Sequence, residues 1–155
     1  MIRWPEKNDP KNTSVHVRNE IDTKAPPENI WAWLVRASLW PSWYPNSSNV
    51  SIEGGAKDLA TGTKFKWRTF RVNLDSEVKE FVPLERLAWT AKATGIDAYH
   101  AWLIERTPTG AHVVTEETQD GFVAKLNAKL RPNDMHAGHQ AWLEALSEKA
   151  TGGLP

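Results

Sequence analysis

The sequence predicts an α+β fold in which one curved antiparallel sheet is covered by a C-terminal helix. The order of its hydrophobic patterns predicts this: an alternating strand at 14–23, two short tryptophan-rich helical pieces at 27–44, alternating strands over 50–119, and a helical segment at 121–150. Only the last segment is long enough to cover the apolar face of such a sheet. Because a single helix cannot fill the trough of a strongly curved sheet, we expect a cavity between them.

Length and composition indicate one domain. We expect residues 1–13 to form a flexible N-terminal segment, 14–150 the domain and 151–155 a short tail. The chain has no cysteine, which excludes disulfides and thiolate chemistry and is typical of a reducing compartment. No stretch after Met1 resembles a signal peptide, and no apolar run approaches the roughly 18 residues of a membrane span. We therefore expect a cytoplasmic protein.

The charges of the chain balance, with 19 basic and 19 acidic residues. A neutral domain lacks the long-range field that attracts phosphate backbones. The most basic stretch, 64–71, alternates its charges with Phe65, Trp67 and Phe70, a pattern typical of the solvent side of a strand. We therefore expect no nucleic-acid partner.

The first third of the chain carries one strand and two short helices. Residues 14–23 alternate with a period of two, and Pro27 suits the first turn of the helix that follows. Two prolines, at positions 41 and 45, allow only one further helical turn, which would direct both Trp40 and Trp43 inward.

The middle of the chain predicts two hairpins. The second hairpin turns at Thr107–Gly110, and a register with Arg106 opposite Ala111 places His100 opposite Glu117. A slip of one residue would substitute Glu116 for Glu117. In the first hairpin, a tight turn would place Val78 and Glu80 beside Trp89. The strands expected in this part of the chain are 50–53, 63–70, 75–82, 86–94, 97–106 and 111–119.

Pro132 must interrupt the C-terminal helical segment, since proline removes a backbone donor and clashes with the preceding turn. We expect a short helix to about Leu130 and a main helix from about Pro132 to Ala150, which would be about 28 Å long. The apolar stripe of the main helix consists of Met135, His139, Trp142, Leu143 and Leu146.

Several strings resemble the START/Bet v 1-like superfamily, and within it the bacterial polyketide cyclase/dehydrase-type proteins, or SRPBCC domains. The resemblance covers about 14–150 and rests on PPENIWAWL, WPSWYPNSSNV, GTKFKWRTF, SEVKEFVPLERLAW and YHAWLIERTPTGAHVVTEET. It implies a helix-grip fold with a deep cavity between sheet and helix. Members bind lipids, sterols, polyketides, quinones or plant hormones; some are cyclases, some are carriers, and a related branch activates a chaperone ATPase.

No single catalytic motif unites this superfamily, so the resemblance assigns no catalytic residue. From the pattern alone, we expect large flat side chains and a few polar groups to line the cavity, although the tryptophans could instead form a bulky core. The expected lining consists of Trp67, Thr69, Val78, Glu80, Trp89, His100, Trp102, Thr115, Glu117, Phe122 and Trp142.

His100 and Glu117 are the candidates for chemistry. On facing strands they could hydrogen-bond and act as general acid and base on a bound ketone. The alternative is that the pair satisfies only itself, or that one member faces solvent.

The sequence predicts no metal and no cofactor. His136 and His139 are three residues apart, but a metal site needs a third ligand, and neither Asp134 nor Gln140 makes a convincing set. The Thr61–Lys64 stretch lacks the upstream glycine of a phosphate loop.

Three functions remain open. The first is binding of an apolar, ring-containing small molecule such as a lipid or polyketide. The second is a cofactor-independent polyketide aromatase/cyclase that uses the same cavity, with His100 or Glu117 moving protons. The third is a protein-interaction module resembling the chaperone-ATPase activators, which requires an exposed apolar patch. Tyr99, Leu103 and Val114 on the outer sheet face are its candidates, and they would serve a homodimer equally well.

Overall fold

Seven antiparallel strands form one curved sheet in the order β1-β7-β6-β5-β4-β3-β2, in a computed structural model that describes residues 1–155. The first strand of the chain therefore pairs with the last one. The strands are β1 (Val15–Thr23), β2 (Ser47–Ile52), β3 (Lys64–Thr69), β4 (Val72–Val82), β5 (Arg86–Ala93), β6 (Ile96–Thr107) and β7 (Gly110–Asp120).

Four helices accompany the sheet in a helix-grip fold, as predicted. They are α1 (Pro27–Val35), α2 (Trp40–Trp43), α3 (Phe122–Leu130) and α4 (Asp134–Thr151). Pro132 separates α3 from α4, and α4 begins two residues later than expected. No helix combines the length and apolar character that crossing a membrane requires.

The register of the β6–β7 hairpin confirms the prediction. Arg106 lies opposite Ala111, and His100 lies opposite Glu117. Because side chains alternate along a strand, this register turns both His100 and Glu117 toward the helices and Glu116 toward the outer face.

The β4–β5 hairpin differs from the prediction because it contains a register shift. Glu80 was expected opposite Trp89, but Val78 pairs with Trp89, and the shift between Val78 and Glu80 pairs Glu80 with Ala88. Glu80 consequently faces outward, and its Oε1 accepts a hydrogen bond from Arg86 Nε at 2.8 Å. The prediction that Glu80 lines the cavity is therefore wrong, since one extra residue in the strand reverses the side-chain direction.

The N-terminal segment packs against the sheet rather than lying loose. Residues 1–13 form two 3-10 turns, and the Trp4 ring contacts the Tyr99 ring on the outer sheet face with centroids 5.8 Å apart. Tyr99, Leu103 and Val114 are only 3%, 6% and 2% exposed. The exposed apolar patch that an interaction module requires is absent from these positions.

Candidate functional site

Tryptophans fill one end of the space between sheet and helices. Trp142 of α4 stacks on Tyr44 with ring centroids 4.5 Å apart and an interplanar angle of 9°. Its indole also meets Trp102 edge-on at 5.0 Å, and Trp40 at 5.2 Å. We call this part of the interior the aromatic end; its members are Trp40, Tyr44, Trp67, Trp89, Trp102 and Trp142.

Five of the residues that were predicted to line the cavity are buried in the packed core instead. These side chains are at most 2% exposed, and none borders the cavity described next. Edge-to-face packing lets the rings fill the trough of the sheet, so the prediction that all of them enclose hollow space is wrong. The five are Val78, Trp89, Trp102, Thr115 and Trp142.

The other end of the interior holds a cavity of about 310 Å³, lined mainly by apolar side chains. It lies between the sheet, α3 and the first turn of α4, and we call this part the hollow end. Two of the side chains that line it on the sheet are small: Ala91 on β5 and Ala98 on β6, which lie opposite each other on paired strands. The lid helix α3 contributes Ala124 and Ala128. Short side chains on both sides leave the space unfilled.

Four of the predicted side chains border this cavity in the structure: Trp67, Thr69, His100 and Glu117. Phe122 does not. Its side chain is 77% exposed, because α3 turns Val123 and Ala124 toward the sheet and leaves Phe122 on its outer face.

Two parts of the cavity wall were not predicted from the sequence: the inner face of the lid helix α3, and the β3–β4 turn that forms the mouth. The β3–β4 turn at Phe70 and Arg71 borders the cavity, and both residues have positive φ, 46° and 66°. Asn46 Oδ1 accepts the Phe70 N–H at 3.0 Å, and Arg71 reaches Asp134 of α4 at 3.2 Å. The turn is thus held over the cavity from two sides.

A cluster of three buried polar side chains lies at the inner end of the cavity. His100 Nδ1 is 3.1 Å from Glu117 Oε2, and His139 Nε2 is 3.2 Å from the same oxygen. The two imidazole rings lie with centroids 4.7 Å apart. Apart from this close contact between its Nε2 and Glu117, His139 has no polar partner.

Two neighbours orient this cluster. His100 Nε2 lies 2.7 Å from Thr115 Oγ1, and Gln119 donates to the second oxygen of Glu117. Thr115 is fully buried and does not border the cavity, so its hydroxyl positions His100 and cannot reach a ligand.

Burial controls the charge of His100. It lowers the pKa of His100 to about 3, with the Glu117 carboxylate opposing the shift and His139 adding to it. Burial also acts to raise the pKa of Glu117, but contacts with His139, His100 and Gln119 outweigh it and hold that pKa at about 2. At neutral pH the cavity wall therefore offers an ionised carboxylate beside a neutral imidazole.

Among solved structures, a hypothetical protein of Helicobacter pylori is similar, with 35% identity, a TM-score of 0.90, and 97% of this chain and 96% of that chain covered. A Thermus thermophilus protein has 18% identity, a TM-score of 0.70 and coverage of 89% and 98%. The di-domain ARO/CYC BexL, from the BE-7585A biosynthetic pathway, shares 15% identity and a TM-score of 0.71 over 92% of this chain and 51% of its own. The last two likenesses concern the fold alone.

No curated protein matches the chain. The family model described as polyketide cyclase/dehydrase and lipid transport matches residues 14–154, nearly the whole chain. With this match and the similarity to the Helicobacter pylori protein, the chain belongs to the polyketide cyclase/dehydrase and lipid transport family.

Proposed function

We propose that this protein binds an apolar, ring-containing small molecule, such as a polyketide or lipid, in the cavity at the hollow end. The observation that carries the proposal is the cavity itself: about 310 Å³, mostly apolar, with Glu117 and His100 at one wall. Ligand pockets usually begin at about 300 Å³ and combine apolar walls with a few polar groups that orient the ligand.

The walls suit a flat ring. The Trp67 indole borders the space on β3, while Ala91 and Ala98 leave room against the sheet. An ionised Glu117 accepts hydrogen bonds and donates none, so it favours a ligand that presents a hydroxyl group at that end. We therefore infer a hydroxylated aromatic or polyketide-like compound as the preferred class.

The comparisons support this class without identifying the ligand. The family is described by polyketide cyclases, dehydrases and lipid transport. Two structural neighbours are di-domain ARO/CYC proteins of the BE-7585A and steffimycin biosynthetic pathways.

A second candidate is an aromatase/cyclase that uses the same cavity. The observation that favours it is the position of Glu117 and His100 at the cavity wall, where a carboxylate could remove a proton next to a ketone. This activity needs the carboxylate, whereas apolar binding depends mainly on the shape of the cavity. A Glu117→Gln variant that still binds but no longer converts a poly-β-ketone would favour the enzyme.

The binding proposal is tested by filling the cavity. A hydroxylated anthraquinone is the probe, and quenching of tryptophan emission is the signal, because Trp67 borders the cavity. Ala128→Trp places a large ring under the lid, and Ala137→Trp makes the same change on an exposed position of α4. We expect Ala128→Trp to weaken binding at least 10-fold and Ala137→Trp to leave it unchanged.

Equal affinity in the two variants would refute binding in this cavity, as would the absence of saturable quenching in the unmodified protein. If binding holds, native mass spectrometry of the protein purified from its own host would show which molecule it carries.

A further inference from the structure

Neither the family match nor the proposed function uses His139, although it is fully buried and its ring faces the Glu117 carboxylate. Its Nε2 faces only the Glu117 carboxylate and its Nδ1 has no hydrogen-bond partner, so the removal of this imidazole from water is poorly compensated. The residue lies on the inward stripe of α4, where an apolar side chain would fit without this cost. Its position therefore calls for a partner that the protein chain does not provide.

We propose that His100, Glu117 and His139 form a binding site for a divalent transition-metal ion such as Zn²⁺. Two imidazoles and one carboxylate are a known ligand set for zinc, and they leave at least one coordination position open. Imidazole ligands favour ions of this class over Mg²⁺ and Ca²⁺, which prefer oxygen.

The distances fit such an ion. Ligand atoms about 2.1 Å from a tetrahedral ion lie about 3.4 Å from one another. The Glu117 oxygen is already 3.1 and 3.2 Å from the two imidazole nitrogens. All three ligand atoms lie within 4.8 Å of one another, so only the separation between the two rings has to close.

The surroundings of two of the three ligands, His100 and Glu117, also fit. Metal-bound histidines usually hydrogen-bond through the other ring nitrogen, and bound carboxylates are themselves hydrogen-bonded. Here Thr115 lies at the far nitrogen of His100, and Gln119 donates to the far oxygen of Glu117. Both contacts leave the ligand atoms that face each other free.

The cavity gives the ion a route to solvent and a place to act. His100 and Glu117 border the cavity, so an open coordination position would point toward a bound molecule. An oxygen atom of that molecule, from a phenol or a β-diketone, could then complete the coordination. The proposal does not depend on the identity of the organic ligand, because the ion can be tested alone.

The test titrates chelator-treated protein with Zn²⁺, and with Co²⁺ as a spectroscopic substitute. We expect one ion per chain by elemental analysis, and tetrahedral visible absorption from bound Co²⁺. Co²⁺ should also quench tryptophan emission, since the Trp142 ring centroid is 5.5 Å from that of His100.

Glu117→Gln and His139→Ala should each weaken binding by about 100-fold or more, while His136→Ala, at an exposed position of the same helix, should not change it. Failure of the unmodified protein to bind one ion per chain would overturn the proposal, and this result needs no variant to fold. Undiminished binding in folded Glu117→Gln would overturn it as well. Loss of binding in His136→Ala would place the ion on the surface and have the same consequence.

Discussion

The aromatic end and the hollow end share the same sheet, and their difference lies in side-chain size along single strands. On β5, the inward position changes from Trp89 to Ala91 within one repeat of the strand. On β6, it changes from Trp102 to Ala98, with His100 between them. The cavity therefore does not arise because one helix fails to cover a curved sheet. It arises where alanines replace tryptophans on a continuous wall.

The two C-terminal helices show the same contrast. The main helix α4 inserts Trp142 into the aromatic end, whereas α3 presents Ala124 and Ala128 to the hollow end. Pro132 divides them, because a proline cannot continue a helix without losing a hydrogen bond and clashing with the preceding turn. Each helix is therefore matched in bulk to the part of the sheet that it covers.

The largest effect should come from removing the centre of the aromatic end. Trp142→Ala should lower the free energy of unfolding by about 3–5 kcal/mol, the usual loss for a large core aromatic, because six aromatic rings lose a contact. Urea unfolding would measure it. Phe122→Ala, at a 77% exposed position, is the matched control and should change stability by less than about 0.5 kcal/mol. An unchanged midpoint for Trp142→Ala would remove the contrast between the two ends.

A second test adds bulk instead of removing it. Ala37 is fully buried in the packed core, and Ala98 borders the cavity. Ala37→Leu should cost about 1–3 kcal/mol of stability through overpacking, while Ala98→Leu should cost less than about 1 kcal/mol, since the cavity accepts the added atoms. Denaturant unfolding compares the two directly. Equal costs would mean that the hollow end is as tightly packed as the rest.

His100 and Glu117, which lie between the two ends, should make the stability of the protein depend on pH. Folding lowers the pKa of His100 from 6.5 to about 3, so below pH 6.5 the unfolded chain takes up a proton that the folded chain does not. The free energy of unfolding should therefore decrease as the pH is lowered, by about 2 kcal/mol between pH 7 and pH 5. Below about pH 4.5 the loss should steepen, because the pKa of Glu117 is also lowered, to about 2.

Urea unfolding at pH 7 and pH 5, with a chelator present, measures this dependence. His100→Gln should flatten it, and His136→Gln should keep it. A dependence that survives in His100→Gln would have to come from other groups.

The register of one hairpin could be predicted, and that of the other could not. The β6–β7 turn at Thr107–Gly110 has clear turn chemistry, and pairing outward from it places His100 opposite Glu117 without interruption. The β4–β5 hairpin contains a bulge after Val78 that turns Glu80 outward, and no local residue pattern marked it. A bulge depends on the twist that the whole sheet requires, which is a tertiary property.

The candidate site was predicted in part for a similar reason. His100 and Glu117 are cross-strand neighbours, so local alternation could bring them together. His139 comes from α4, and its contact with Glu117 depends on how that helix docks, which no local pattern specifies. A signal was nevertheless present, since His139 is the one ionisable residue in the inward stripe of α4. The hollow end had a signal as well: inward alanines at positions 91 and 98 stand where the neighbouring positions carry tryptophan.

The smallest expected effect concerns the mouth of the hollow end. Arg71 has φ of 66°, a left-handed conformation that costs a residue with a side chain about 1–2 kcal/mol. Its exposed ion pair with Asp134 stabilises the folded protein by at most about 1 kcal/mol. Arg71→Gly should therefore raise the free energy of unfolding by up to about 1 kcal/mol, measured by thermal and urea unfolding. Asp134→Asn weakens the same ion pair without altering the turn, so it should slightly lower stability. If Arg71→Gly proves the less stable of the two variants, the ion pair stabilises the mouth by more than the left-handed backbone of Arg71 destabilises it. The turn would then carry no backbone strain that glycine could relieve.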